Sequence, residues 1–258
     1  MRKVKLSLLQ NANSFIEEAL SKAILAENKT LQWKFAILSL VQAIELAIKE
    51  RLRREHQVLI FSDIDNPKNT VNITVAFKRL KNICGITITE KEAEAIHNVK
   101  QWRNLIVHSE FAFKAHTAKI AFATLLGFLE EFNRKHLDLN LQEILPEELW
   151  DEALSINDFY KELVKRAEIR LNEEEIDIEL IWDCRQCGWH GFVIQDEINT
   201  CYLCGYKYDE IVECVKCGGY VYLDESEGME VGDMKHHSEI VSICKGCIED
   251  MMMEDSMW

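Results

Sequence analysis

Proline is nearly missing from this 258-residue chain: Pro67 and Pro146 are the only two. Proline removes a backbone donor and breaks helices, so long uninterrupted helices are open to the chain, and residues 1–170 read as helix. Long apolar runs are missing as well. None approaches the roughly 18 residues a membrane span needs, so no membrane partner is expected. Residues 1–18 mix charge with a few leucines and hold no continuous apolar segment of signal-peptide length. Nine cysteines without an export signal read as thiols in a reducing cytosol rather than as disulfides. The expected location is cytoplasmic.

Positive charge is scarce in one half only. Residues 1–138 carry 21 Lys and Arg against 15 Asp and Glu, a net +6; residues 139–258 carry 9 against 29, a net −20, which together give the −14 of the whole chain. Phosphate binding needs positive potential. An RNA partner is therefore expected on the N-terminal half, and a protein partner suits the acidic half better.

Eight of the nine cysteines form four Cys-x-x-Cys pairs within about 65 residues: Cys184/Cys187, Cys201/Cys204, Cys214/Cys217 and Cys244/Cys247, with glycine after Cys187, Cys204 and Cys217. One such turn aims two thiolates at a point, and two turns supply the four soft ligands of a tetrahedral Zn²⁺. Two structural Cys₄ zinc sites are expected. A closed site of this kind folds a small domain and keeps no open position for chemistry. Filling both sites deepens the negative charge, because four thiolates outweigh one divalent ion. Sequential pairing leaves spacers of 13 and 26 residues between partners; interleaved, cross-braced pairing is the alternative. His236 and His237 fall in the second spacer and read as a solvated loop, and His190 as a surface neighbour of the first turn. No βαβ pattern surrounds any pair, which argues against a redox role. Cys84, the ninth cysteine, reads as a core thiol.

The expected fold class is mainly α: an N-terminal helical bundle followed by a small zinc-ribbon β region. Apolar spacing marks helices over residues 6–27 and 30–54, the second capped by Thr30. A loop follows over 61–71 with a turn at Asn66-Pro67. A helix over 74–84 stops at Gly85. Thr89 and Glu92 form a capping box opening a helix to His108, and another runs over 112–136. The expected domains are a bundle over 1–138, an acidic helical connector over 139–178 broken near Pro146, and zinc-ribbon-like modules over 179–211 and 212–258. Short β-prone runs at 178–182, 191–194, 206–212, 219–223 and 239–243 supply the strands. The tail over 251–258, with four methionines and Trp258, reads either as a partner-binding end or as a frayed terminus.

The fourth helix carries Gln101-Trp102-Arg103-Asn104-Leu105-Ile106-Val107-His108, an Arg-x₄-His spacing. With ten arginines and eight histidines, roughly 0.3 such spacings are expected by chance, yet the chain holds three. Arg51…His56 ends a helix and Arg185…His190 falls in a cysteine turn; both read as coincidences. Arg103…His108 differs in its setting, within an amphipathic helix downstream of Ala43-Ile44-Glu45-Leu46-Ala47-Ile48-Lys49.

With these two features residues 5–138 resemble the HEPN family, whose motif is Arg-Asn/Asp-x₃-His with an acidic residue in an earlier helix. The resemblance implies a dimerising helical bundle and, in ribonuclease members, an RNA-cleaving site without metal where two motifs meet across the two-fold axis. It implies cleavage by 2′-OH attack, leaving 2′,3′-cyclic phosphate, in stress response, toxin or antiviral roles. On that reading His108 moves the proton, Arg103 meets the charge on the phosphorane oxygens, Asn104 orients the phosphate and Glu45 positions Arg103. Toxin-class members that carry a tyrosine two residues after the histidine differ here, where Glu110 stands, followed by Phe111. Glu110 sets a carboxylate beside the site unless Arg103 or Lys114 pairs with it. Two further readings stay open. One is a non-catalytic module that dimerises or binds a nucleotide and docks a protein through its acidic half. The other is an acidic half that holds the cationic half in check by mimicking nucleic acid.

Overall fold

In a computed structural model the described residues are 4–110, 112–194, 199–233 and 236–255. The chain is mainly helical, with small antiparallel sheets confined to the cysteine-rich end. It divides into two compact units: Met1–Glu175 together with Leu203–Gly205, and Ile176–Tyr202 together with Tyr206–Trp258.

The first unit is built on a helical hairpin, α1 (Leu8–Asn28) and α2 (Gln32–Glu55). Ser7 caps α1 through a capping box with Gln10. The cap assigned to Thr30 is not formed: the N-cap is Leu31, in helical conformation, without a side-chain bond. The Thr30 carbonyl instead accepts from the Trp33 N–H at 3.2 Å, because the hairpin is too tight for an extended capping residue. The broad stripe of α2 is buried as its spacing predicts, with Trp33, Ile37, Leu40, Ile44, Ile48 and Leu52 nearly or wholly shielded. After α3 (Ile73–Cys84), Gly85 takes φ 68°, the left-handed C-cap expected of it. The capping box of α4 (Glu90–His108) also forms: Thr89 Oγ1 accepts from the Glu92 N–H at 3.3 Å, and Glu92 Oε2 accepts from the Thr89 N–H at 2.9 Å. Next comes α5 (Ala115–Leu137), which starts three residues later than its periodicity suggests, after an extended Lys114. It is the axis of the unit and packs on α2, α4 and α8. Trp33 meets Phe122 edge-on at 5.5 Å, and Phe77, Phe128 and Phe132 form a chain of rings.

Of the stretch 139–178, read as a helical connector, residues 139–175 belong to the first unit and form α6 (Leu141–Ile144), α7 (Glu147–Leu154) and α8 (Asn157–Glu173), while 176–178 fall in the second. Trp150, Phe159, Leu163 and Ala167 are buried, so acidity on the outer faces concealed an apolar inner one. Arg166 of α8 is held by Glu162, by Glu131 of α5 and by Glu92 of α4. A Cβ at Gly127 would stand 2.8 Å from its Nε, so glycine is what lets this guanidinium lie against α5.

His136 ends the ring chain, 5.1 Å from Phe132. Burial, then the charge of Arg51, pushes its pKa below the usual 6.5. The unfolded chain therefore binds the extra proton first, and stability falls as pH drops below about 6.5. Urea melts at pH 7.5 and 5.5 should show a smaller pH-dependent loss in His136→Gln than in the natural chain.

The second unit holds three sheets. In the first, β1 (Ile181–Asp183), β2 (His190–Val193) and β3 (Thr200–Cys201) lie in that order, with Trp182 opposite Phe192 and Phe192 opposite Cys201. Next, β4 (Ile211–Glu213) pairs with β5 (Tyr220–Tyr222), and β6 (Ser226–Asp233) pairs with β7 (His236–Cys244). The chain then enters α9 (Lys245–Asp255). Two expectations are corrected here. His236 and His237 lie on a strand rather than in a loop, and residues 251–255 of the tail are helical rather than frayed; residues 256–258 of that tail lie outside the described residues. Strand β6 has two glycines and three acidic residues and no strand signature of its own; pairing with β7 makes it a strand.

Candidate metal centres and the Arg103 helix

Each cysteine turn is shaped by its backbone. In the first, Cys184 N–H donates to Trp189 O at 2.9 Å and Gly188 N–H to Cys184 O at 2.8 Å; in the third, Cys214 N–H donates to Gly219 O at 2.9 Å and Gly218 N–H to Cys214 O at 2.8 Å. Gly188, Gly205 and Gly218 take φ of 72°, 76° and 72°. A side chain there would be strained, which explains the glycine after three of the pairs. The first and third turns are the loops of the β1–β2 and β4–β5 hairpins. Cys244 ends β7, and Cys247 sits in the first turn of α9.

The pairing is sequential. Cys184, Cys187, Cys201 and Cys204 bring their sulfurs within 4.8 Å of one another, and so do Cys214, Cys217, Cys244 and Cys247. Cys187 Sγ lies 3.8 Å from Cys201 Sγ, and Cys217 Sγ 4.0 Å from Cys244 Sγ. Tetrahedral ligands about 2.3 Å from a metal stand about 3.8 Å apart, so both donor sets fit two structural metal ions. In the second cluster the Cys214 thiol is brought down to about 6, first by the Cys244 backbone N–H, which points at its sulfur from 3.4 Å. The Cys247 thiol is pushed up to about 12 by hydrogen bonding with Cys244 and by burial.

Apart from Leu203–Gly205, which group with the first unit, the two cysteine modules belong to one unit, and Arg185 joins them. From the first turn its guanidinium lies 3.5 Å from the centre of the Tyr222 ring and donates to both oxygens of Asp224 and to Glu225. These bonds hold the Asp224 carboxyl below its usual range. Trp182 and Phe192 also meet Tyr222, at 5.0 and 6.2 Å. The arginine of a chance Arg-x₄-His spacing is thus the clasp of the unit. Its histidine, His190, pairs instead with Asp183 across the β1–β2 hairpin at 2.8 Å. Arg185→Ala should raise amide exchange over 220–225 without changing the metal content.

Arg103, Asn104 and His108 all lie on α4. Arg103 is half-buried, while Asn104 and His108 are exposed. None makes an ion pair or side-chain hydrogen bond among the described residues. Positions five apart on a helix are about 140° around its axis, so a single copy does not put Arg103 and His108 on one face. Leu105 and Val107, 44% and 58% exposed, stand beside them. Glu45 does not fill the role foreseen for it: its Oε1 accepts from Lys49 Nζ at 2.7 Å, one helical turn away, and Lys49 also donates to Thr70. The i,i+4 neighbour on its own helix captured the carboxylate. Glu110 is exposed and pairs with neither Arg103 nor Lys114 among the described residues, and Phe111 lies outside them. The other coincidence, Arg51, pairs with Glu55 at 3.2 Å. Cys84 is half-buried rather than a core residue, and burial raises its pKa.

Sequence spacing identified all eight converging cysteines but missed the roles of Arg185 and Arg166, whose partners Asp224 and Glu92 lie 39 and 74 residues away. Among the described residues no helix is long and apolar enough to cross a membrane. No protein-family model, no curated protein and no solved structure matches the chain.

Proposed function

We propose that the two Cys₄ clusters hold structural zinc and that the helical unit is a HEPN-type endoribonuclease acting as a homodimer. Zinc suits four thiolates in a closed tetrahedron. With every ligand position filled by sulfur, these ions carry fold and not turnover.

The observation that carries the ribonuclease reading is the state of α4: an arginine, an asparagine and a histidine without an ion pair or side-chain hydrogen bond among the described residues, beside two exposed apolar side chains. A second α4 packed on Leu105 and Val107 brings the Arg103 of one copy towards the His108 of the other, which one helix cannot do alone. In that site a ribose 2′-OH attacks its own phosphate and the bond to the next 5′ oxygen breaks. His108 takes or returns a proton, and Arg103 meets the negative charge that gathers on the phosphorane. The products are a 2′,3′-cyclic phosphate and a 5′-hydroxyl. The net +6 of residues 1–138 favours RNA there.

The test is cleavage of single-stranded RNA by the purified protein in EDTA, with zinc content checked and product ends analysed. Cyclic phosphate ends lost in both Arg103→Ala and His108→Ala support the reading. A well-folded dimer inert on several RNAs would favour the second reading, a non-catalytic module whose acidic cysteine-rich unit docks a protein.

A further inference from the structure

The two cysteine clusters are not equally protected. In the first, Cys184, Cys201 and Cys204 are no more than 3% exposed and Cys187 is half-buried. In the second, Cys214 is buried but Cys217 is exposed, alone among the eight ligand cysteines. The cause is legible in two turns of the same shape. Cys187 is followed by Gly188 and the half-buried Trp189; Cys217 is followed by Gly218 and Gly219. A Cβ at Gly219 would rest 3.5 Å from the Cys217 sulfur, so the side chain missing there is one that would cover the thiolate. Val215, Lys216 and Tyr220 around it are exposed too.

The second cluster also fastens a larger part. Two of its ligands, Cys244 and Cys247, end β7 and begin α9. Apart from the cluster, Cys244 N–H to Cys214 Sγ and Val215 N–H to Ser242 O at 3.1 Å tie β7 to the third turn. The β4–β5 hairpin is held independently, through Arg185, Tyr222 and Asp224.

Resting on the reading that both clusters hold metal, we propose that Cys217 is a modification site for soft electrophiles of the α,β-unsaturated carbonyl class, and that its reaction unfastens α9 and the end of β7. The Cys217 thiolate adds to the β-carbon; a C–S bond forms as the C=C π bond breaks, and the enolate takes a proton from water. The product thioether is a neutral, weak ligand, so the metal ion is left with three thiolates and passes to solvent chelators. The first cluster, buried, keeps its ion. Reactivity here follows access to a metal-bound thiolate.

The experiment uses the full chain in a Cys84→Ala background, loaded with two zinc ions and treated with N-ethylmaleimide beside a zinc-sensitive dye. One zinc per chain is released in the first phase, the first adduct maps to Cys217, and amide protection falls over 244–255 while 181–193 stay protected. Gly219→Leu, which lays a side chain on the sulfur, slows the first phase about tenfold. A first adduct on another ligand cysteine, simultaneous loss of both ions, or zinc release without loss of protection in α9 overturns the proposal; so does an unchanged rate in folded Gly219→Leu. A chain that cannot be loaded to two metals sinks the zinc reading itself, and is seen in the metal analysis before any electrophile is added.

Discussion

On the reading that both clusters hold metal, replacing Cys201 with serine is expected to unfold the first cysteine module, and stripping both metals the whole cysteine-rich unit, while α1 to α8 stay folded. The unit has little else to stand on. Its sheets have three, two and two strands, and isolated two-stranded hairpins are marginal in water. Among the described residues the large side chains buried there are Phe192, Val193, Ile194, Tyr202, Tyr222 and Ile243. A structural zinc contributes on the order of 10 kcal/mol to such a fold at neutral pH, well above what that group supplies. Cys201 sits on β3 opposite Phe192, so losing its ligand releases a strand as well as a metal. Hydrogen exchange on the full chain reads both outcomes: protection over 181–193 should collapse, and protection in α2 and α5 should persist. Metal content should fall from two per chain to one in Cys201→Ser. Retained protection with no bound metal would show that packing alone holds the unit.

The second large effect is expected at α4. If the ribonuclease reading holds, His108→Ala should lower RNA cleavage about 10²- to 10⁴-fold, the usual worth of a positioned acid–base group. Arg103→Ala should cost about 10²- to 10³-fold, as for loss of one donor to developing charge. Arg103→Lys should recover little, because an ammonium does not reproduce the guanidinium fork on phosphate oxygens. Both positions are exposed or half-buried and make no ion pair or side-chain hydrogen bond among the described residues, so the variants should melt like the natural chain. That separates a chemical defect from an unfolded one. Glu45→Gln should behave differently: it removes the charge facing the buried Lys49, so its effect should appear in stability. A mixture of Arg103→Ala and His108→Ala chains, each inactive alone, should regain up to a quarter or so of the activity if two copies share a site and exchange freely.

Helices with a strong apolar stripe and a clear stop were readable before any coordinates. Trp33 to Leu52 on α2, the Thr89–Glu92 capping box and the Gly85 stop are local events, settled within one or two turns. The cysteine turns are local in the same way, since a glycine forced to positive φ beside two thiols marks a ligand pair wherever it falls. That locality is why every ligand was found and why the sequence left two pairings open. Bringing Cys184 to Cys201 and Cys214 to Cys244 is a long-range matter, decided when β1, β2 and β3 align and when β6 pairs with β7.

What tertiary structure decided follows the same line. Strand β6 has little intrinsic strand character and exists because β7 lies beside it. The acidic stretch 139–175 joined the first unit because Trp150 and Phe159 are buried in it, which net charge cannot reveal. Glu45 went to Lys49, one turn along its own helix, because a neighbour at i+4 is always within reach whereas a residue on another helix must be brought there. Arg185 looked like half of a chance motif until the β4–β5 hairpin set Tyr222, Asp224 and Glu225 against it. The amino-acid sequence by itself determined the helices, the paired cysteine turns and the split of charge between the halves, because each depends on neighbours along the chain. Only folding determined which cysteines converge on one another, which sulfur meets solvent and which charges are spent on holding the protein together, because those depend on neighbours in space.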